Sequence, residues 1–203
     1  MENSILGTNI EVNIIYDSRR IEKYEPLVAE LARQGIEKYE IWPCIMFDSV
    51  VDSIAESHKM IVADAKARHL PMTCIMEDDV MFPHERGFEY FLNCMPTVFD
   101  IYTAGNYATF EKRIRSGAVL VNTITGFHCY IIHSRYYDRF LSTPSGQHID
   151  TAQDSNLMYV CYPMAALQRP GFSANNRGIV NYNKPNIGIA QEHIYGKLLT
   201  DEA

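Results

Sequence analysis

The chain has 203 residues, 47% hydrophobic and 21% charged. That is the composition of an ordinary globular domain, and a chain of this length buries roughly 70% of its unfolded surface without needing disulfides or a structural metal. Its 18 basic and 25 acidic residues leave a net charge of −7, and the basic residues are scattered, which excludes general nucleic-acid binding, a property of clustered Lys and Arg.

The N-terminus has neither the basic flank nor the apolar segment of a secretory signal, and no apolar run reaches bilayer-spanning length. The cysteines Cys44, Cys74, Cys94, Cys129 and Cys161 are odd in number and widely spaced. The expectation is a cytoplasmic protein with reduced thiols and no transmembrane segment.

In chain order, the β-branched run over residues 10–16 predicts a buried strand that ends at Asp17-Ser18-Arg19-Arg20. Ile21, Tyr24, Leu27, Val28 and Leu31 recur at helical spacing before Gly35, which suits a C-terminal cap. A short strand over Tyr39–Cys44 and a long helix over Asp48–Arg68 follow, then the turn at Pro71 and a strand over Met72–Met76. Strand–helix–strand–helix–strand predicts an α/β fold: a mixed, mainly parallel sheet flanked by helices on both faces. Further on, the pattern predicts a helix over Glu85–Asn93, strands near Asp100–Thr103, Ala118–Asn122 and Gly126–His133, and a helix over Ser134–Leu141. From Phe172 the chain is rich in Asn, Gly and Pro and shows no periodicity.

The sharpest chemical feature is Glu77-Asp78-Asp79, directly after the Met72–Met76 strand. Ligands of open α/β sheets sit outside the carboxyl ends of parallel strands, where this triplet falls. Adjacent carboxylates raise one another's pKa unless a cation is present. A hard divalent ion, Mg²⁺ or Mn²⁺, held by one or two of them plus substrate phosphates relieves that repulsion. The alternative is a solvated acidic turn. Arg19 and Arg20 carry guanidinium forks of a shape that suits phosphate oxygens; the plainer reading is a solvated helix start.

Five segments in order resemble glycosyltransferase family 25, the lipooligosaccharide and collagen galactosyltransferase group. They are the Val12–Tyr16 strand with Asp17-Ser18-Arg19-Arg20; Ser57-His58 followed by Ile75-Met76-Glu77-Asp78-Asp79-Val80; Gly126-Phe127-His128-Cys129-Tyr130-Ile131-Ile132; His148-Ile149-Asp150; and Gln168-Arg169-Pro170-Gly171-Phe172-Ser173. Cys129 stands where the family has Ala, and His148 where Pro is common.

The resemblance implies a single-domain GT-A-type fold, with residues 1–172 as the catalytic domain and residues 173–203 as an irregular segment packed on or near the active site. It implies an inverting hexosyltransferase that moves galactose from a uridine diphosphate sugar to a glycan or glycolipid, peripheral at a membrane through its acceptor. Asp79, with Asp78 or Glu77, would carry Mn²⁺ or Mg²⁺ on the donor diphosphate, with His193 reaching the metal, and Arg19, Arg20, Ser57 and His58 would belong to the donor site. Asp150 is the first candidate for the general base and Asp154, on the same face if the segment is helical, the second. Each also has a plainer reading: a helix cap or solvated acid for the two aspartates, a hydrogen-bonded core residue for His58, an exposed residue for His193. His128 reads as structural or as lining a sugar pocket. The rival is a non-catalytic GT-A-like domain that binds a nucleotide sugar or glycan. A metal-dependent nucleotidyltransferase or phosphohydrolase also fits the acidic triplet but leaves the later segments unexplained.

Overall fold

The computed structural model describes residues 4–5, 8–108, 117–173 and 175–181. Seven strands form the central sheet: β1 (Val12–Tyr16), β2 (Glu40–Pro43), β3 (Met72–Glu77), β4 (Ile101–Thr103), β5 (Gly117–Leu120), β6 (Cys129–His133) and β7 (Met158–Tyr162). Four helices flank it: α1 (Tyr24–Arg33), α2 (Val50–Ala67), α3 (Gly87–Asn93) and α4 (Tyr137–Leu141).

The sheet order is β2-β1-β3-β6-β4-β7-β5. β1 pairs parallel with β2 and β3, and β4 with β7, while β6 is antiparallel to both its neighbours and β5 to β7. Five of the seven strands therefore run the same way.

Alternation along the strands divides the core. Val12, Ile14, Cys74, Met76 and Ile131 point to one face, where they meet Leu27 and Leu31 of α1 and Phe88 and Phe91 of α3. Ile15, Ile75, Tyr130 and Ile132 point to the other and meet Ile61, Val62 and Ala65 of α2 and Phe140 of α4. This period-two division across a sheet covered on both sides explains why the parallel strands read as continuous apolar runs.

The local signals act as the sequence indicates. Gly35, at φ 68°, ends α1, with Ile36 N–H returning to the Leu31 carbonyl at 2.9 Å. Ser49 caps α2 by accepting from Asp52 N–H at 3.2 Å.

The α1 stripe differs from the expectation. Ile21 and Tyr24 are exposed, because residues Ile21–Lys23 form a 3₁₀ turn and the α-helix takes its phase from Tyr24. That phase buries Leu27, Leu31 and, between them, the carboxylate of Glu30, which accepts from Phe82 N–H at 3.1 Å. The segment beyond Phe172 also holds more order than its composition suggests, since Gly171–Ser173 pairs antiparallel with Gly178–Val180.

Candidate active site

From β1 the chain passes to β2 on one side, and β3 then pairs with β1 on the other, so the connections at the β1 and β3 ends depart in opposite directions. That is the switch point at which an α/β sheet opens a crevice. Ile15 of β1 lies in register with Glu77 of β3, so the polar turns after the two strands face each other across it.

The crevice holds a cavity of about 480 Å³. Its charged wall comes from the strand ends, with Asp17, Arg19, Arg20, Glu77, Asp78 and Asp79, and from Arg169 in the returning chain. Its apolar wall comes from Met46 and Phe47 after β2 and from Val50 and Ile54 of α2. Ser57 holds that wall in place: buried on α2, its hydroxyl accepts from Ile45 N–H at 2.8 Å and donates to the Ser53 carbonyl at 2.7 Å.

The acidic turn is not a solvated loop. Asp78 is buried, and Lys23, from the 3₁₀ turn before α1, lays its Nζ 2.6 Å from Asp78 Oδ1 and 3.1 Å from Asp79 Oδ2. Asp78 Oδ2 accepts from Asp17 N–H at 3.2 Å, whereas Asp79 Oδ1 is buried without a hydrogen-bond partner among the described residues. Burial opposes the Lys23 ammonium, but the charges of Asp79 and Asp78 outweigh it and raise its pKa. Burial and the neighbouring Glu77 charge push Asp79 up to about 6, against the relief that Lys23 supplies.

Because the folded-state pKa of Asp79 lies above its ordinary value of 3.8, ionising it costs stability. That cost is absent below pH 4, grows between pH 4 and 6 and is complete above. Asp79→Asn should accordingly stabilise the protein by about 1–2 kcal/mol at neutral pH and by almost nothing near pH 4. Urea titrations at both pH values test this; a mutant no more stable than wild type at neutral pH contradicts it.

Glu77 faces elsewhere. Its Oε1 lies 3.3 Å from His58 Nε2 and its Oε2 accepts from Gln168 Nε2 at 3.2 Å. His58 Nδ1 lies 3.0 Å from the Tyr130 hydroxyl, so a buried chain Tyr130–His58–Glu77 runs from the core to the cleft floor. Burial alone would raise the Glu77 pKa, but the His58 hydrogen bond and the nearby positive groups lower it. His58 is thus both a core residue and a neighbour of the cleft.

A second cavity of about 180 Å³ adjoins the first and shares Ile54, Glu77, Gln168, Ser173 and Asn175 with it. Asp150 lines this smaller space together with Tyr107, Gly126 and His148. Both its oxygens accept backbone N–H groups, Oδ2 from Gly126 at 2.7 Å and Oδ1 from Thr151 at 2.8 Å. Residues 149–152 form turns instead of a helix, and Asp154 is exposed and lines neither of the two cavities.

Arg19 forms a fork with Asp17, Nε to Oδ1 at 2.9 Å and Nη2 to Oδ2 at 2.7 Å, while Arg20 donates to the Phe172 carbonyl. His128 is fully buried with Nε2 3.1 Å from the Ala166 carbonyl, and burial lowers its pKa, as befits a structural residue. His193 lies outside the described residues.

Lys23, Arg169 and Gln168 had no assigned role at the level of sequence. The last two stand in the matched Gln168–Ser173 segment, whereas nothing near Lys23 in the chain marks it.

The carboxylates that would hold a divalent ion do not fit one as they stand. Lys23 takes an oxygen of each aspartate, and Glu77 turns to His58 and Gln168. Among the described residues no three His, Cys, Asp or Glu side chains converge on a metal position. Nor is any helix among them long and apolar enough to cross a membrane.

No family model matches the sequence, and no curated protein matches it. Among solved structures the chain is similar to a glycosyltransferase involved in glycosylation of the major capsid of PBCV-1, with 11% identity and a TM-score of 0.44 over 68% of this chain and 67% of that one. It is also similar to the catalytic domain of Drosophila β1,4-galactosyltransferase 7 in complex with xylobiose, with 12% identity and a TM-score of 0.42 over 96% and 79% of the two chains. A mutant of that Drosophila enzyme in complex with manganese, UDP-Gal and xylobiose gives 12% identity and a TM-score of 0.39, over 64% of this chain and 51% of that one.

Proposed function

We propose that the protein is a glycosyltransferase of the family 25 type that moves a hexose, galactose in our reading, from a uridine diphosphate sugar to a hydroxyl of a glycan or glycolipid. The observation that carries this reading is the shared wall. Glu77 and Gln168 line both cavities, so a group held in the larger one meets a group held in the smaller one at that point.

The larger cavity suits a nucleoside diphosphate, with Met46 and Phe47 offering apolar surface to a base and Arg20 and Arg169 offering guanidinium groups to phosphates. The smaller suits a sugar hydroxyl placed against Asp150. In the transfer, the acceptor oxygen bonds to the anomeric carbon while its proton passes to Asp150. The bond from that carbon to the phosphate oxygen breaks, and the nucleoside diphosphate leaves with the electron pair against the arginines. A cytoplasmic location accords with the five free thiols.

One observation favours the rival binding-module reading: both Asp150 oxygens already hold backbone N–H groups, as an anchoring carboxylate does. A thermal-shift panel of nucleoside diphosphate sugars, in Mn²⁺ and in EDTA, followed by an assay for free nucleoside diphosphate, separates the possibilities. We expect a uridine diphosphate sugar to raise the melting temperature and to be turned over. Binding without turnover across a range of acceptors would favour the binding module, and no shift with any donor would remove the nucleotide-sugar reading.

A further inference from the structure

We propose that Lys23 is the resident cation of the acidic turn, occupying the place of a divalent metal ion, so that this cleft receives a diphosphate without one. The diphosphate half of this inference rests on the nucleotide-sugar reading above; the cation half does not.

The arrangement is built into the chain. Immediately after β1, Arg20 N–H returns to the Asp17 carbonyl and Lys23 N–H to the Arg20 carbonyl, each at 2.9 Å, which coils the backbone back over the β3 end. Lys23 thereby reaches both aspartates, and its side chain is only 14% exposed. An ammonium so placed between two carboxylates has lost most of its water and is held by charge and hydrogen bonds together, unlike a surface pair that solvent can take apart.

Charge counting points the same way. Asp17, Glu77, Asp78 and Asp79 place four negative charges at the cleft, and Arg19, Arg20, Lys23 and Arg169 place four positive ones. The site is balanced from within the chain before any ion is added. Arg19 is spent on Asp17, but Arg20 donates to a neutral carbonyl and Arg169 lies 3.7 Å from Glu30, its nearest carboxylate among the described residues, so both guanidinium groups retain charge for phosphate oxygens. An ion seated between Asp78 and Asp79 would have to expel Lys23 or stand against a like charge.

One atom remains to be explained. Asp79 Oδ1 is buried, has no hydrogen-bond partner among the described residues and belongs to a residue of the cavity wall. Lys23 offsets one of the pair's two negative charges and leaves this oxygen an acceptor without a donor, which a hydroxyl group can satisfy without a metal.

The test begins with Mn²⁺ alone, titrated against the full chain and followed by the paramagnetic resonance signal of the free ion. Wild type should take up no Mn²⁺ at the acidic turn. Lys23→Ala, which bares the two carboxylates, should acquire one site that is lost again in Lys23→Ala/Asp79→Asn, and Lys23→Arg should bind none. Should Lys23→Ala fail to fold, Lys23→Gln removes the charge while keeping most of the side chain's length. Uptake by wild type that disappears in Asp79→Asn would overturn the proposal, as would a folded Lys23→Ala or Lys23→Gln protein that binds no Mn²⁺.

Calorimetry with uridine diphosphate then tests the second half. Wild type should bind it equally in EDTA and in Mn²⁺. Lys23→Ala should lose affinity by about tenfold or more in EDTA and recover it in Mn²⁺. Wild-type binding that requires Mn²⁺ would overturn metal independence. If uridine diphosphate fails to bind wild type in either buffer while the Mn²⁺ results are as stated, the nucleotide-sugar reading falls, and Lys23 as resident cation stands.

Discussion

Asp150→Asn is expected to slow sugar transfer by about 10²-fold or more, with donor affinity close to wild type. A general base acts on the acceptor hydroxyl in the transfer step, and Asp150 lines the smaller cavity, away from the charged wall where a diphosphate is received. The amide has nearly the shape of the carboxylate but does not take the proton.

The substitution also has a structural side. Asp150 accepts from both Gly126 and Thr151 N–H, and an amide can serve only one of them, so about 1–2 kcal/mol of stability should be lost as well. The two effects are read separately: steady-state kinetics for rate and donor KM, urea unfolding for stability. A rate lost with KM retained assigns the base. A stability loss with turnover unchanged would make Asp150 an anchor for the Gly126 turn, and the base would have to be sought elsewhere.

Gly105→Ala is expected to destabilise the fold by about 3 kcal/mol or more. The backbone at Gly105 is not in the left-handed region; the reason is space. A Cβ there would lie 2.2 Å from the Ala166 carbonyl oxygen and 2.7 Å from His128 Nε2. The Ala166 oxygen is backbone that also receives His128, and the adjoining Ala104 carbonyl accepts from Ala165 N–H at 2.8 Å, so nothing flexible can yield. Relief requires the chain after β4 to part from the chain after β7. Because residues 165–166 lead directly into Gln168 and Arg169 of the cleft, donor affinity should fall together with stability. Gly171→Ala is the control: a Cβ there meets nothing within 4 Å, and its cost should stay within about 0.5 kcal/mol. Urea unfolding of the two variants decides the matter, and comparable midpoints would show that the close approach can relax.

The periodicities of two and 3.6 along residues 10–76, the cap signals at Ser49 and Gly35, and an acidic triplet at the end of an apolar strand are encoded among near neighbours. By itself the sequence therefore determined the β1–α1–β2–α2–β3 unit, its two covered faces and the end of the sheet at which a ligand site must lie. The remaining features depend on elements far apart in the chain. Only the tertiary structure decided that β6 inserts antiparallel between β3 and β4, that Gly105 must have no side chain, and that Glu77 turns toward His58 and Gln168, away from its neighbour Asp79. The partner of Asp78 is the plainest case. Lys23 stands 55 residues earlier, with no local pattern to mark it, and becomes that partner only because a 3₁₀ turn after β1 is carried over the end of β3 by strand pairing. Hydrogen-bonding and hydrophobic periodicity are properties of adjacent residues, whereas the neutralisation of a buried charge is settled by whichever opposite charge the packed elements bring within reach.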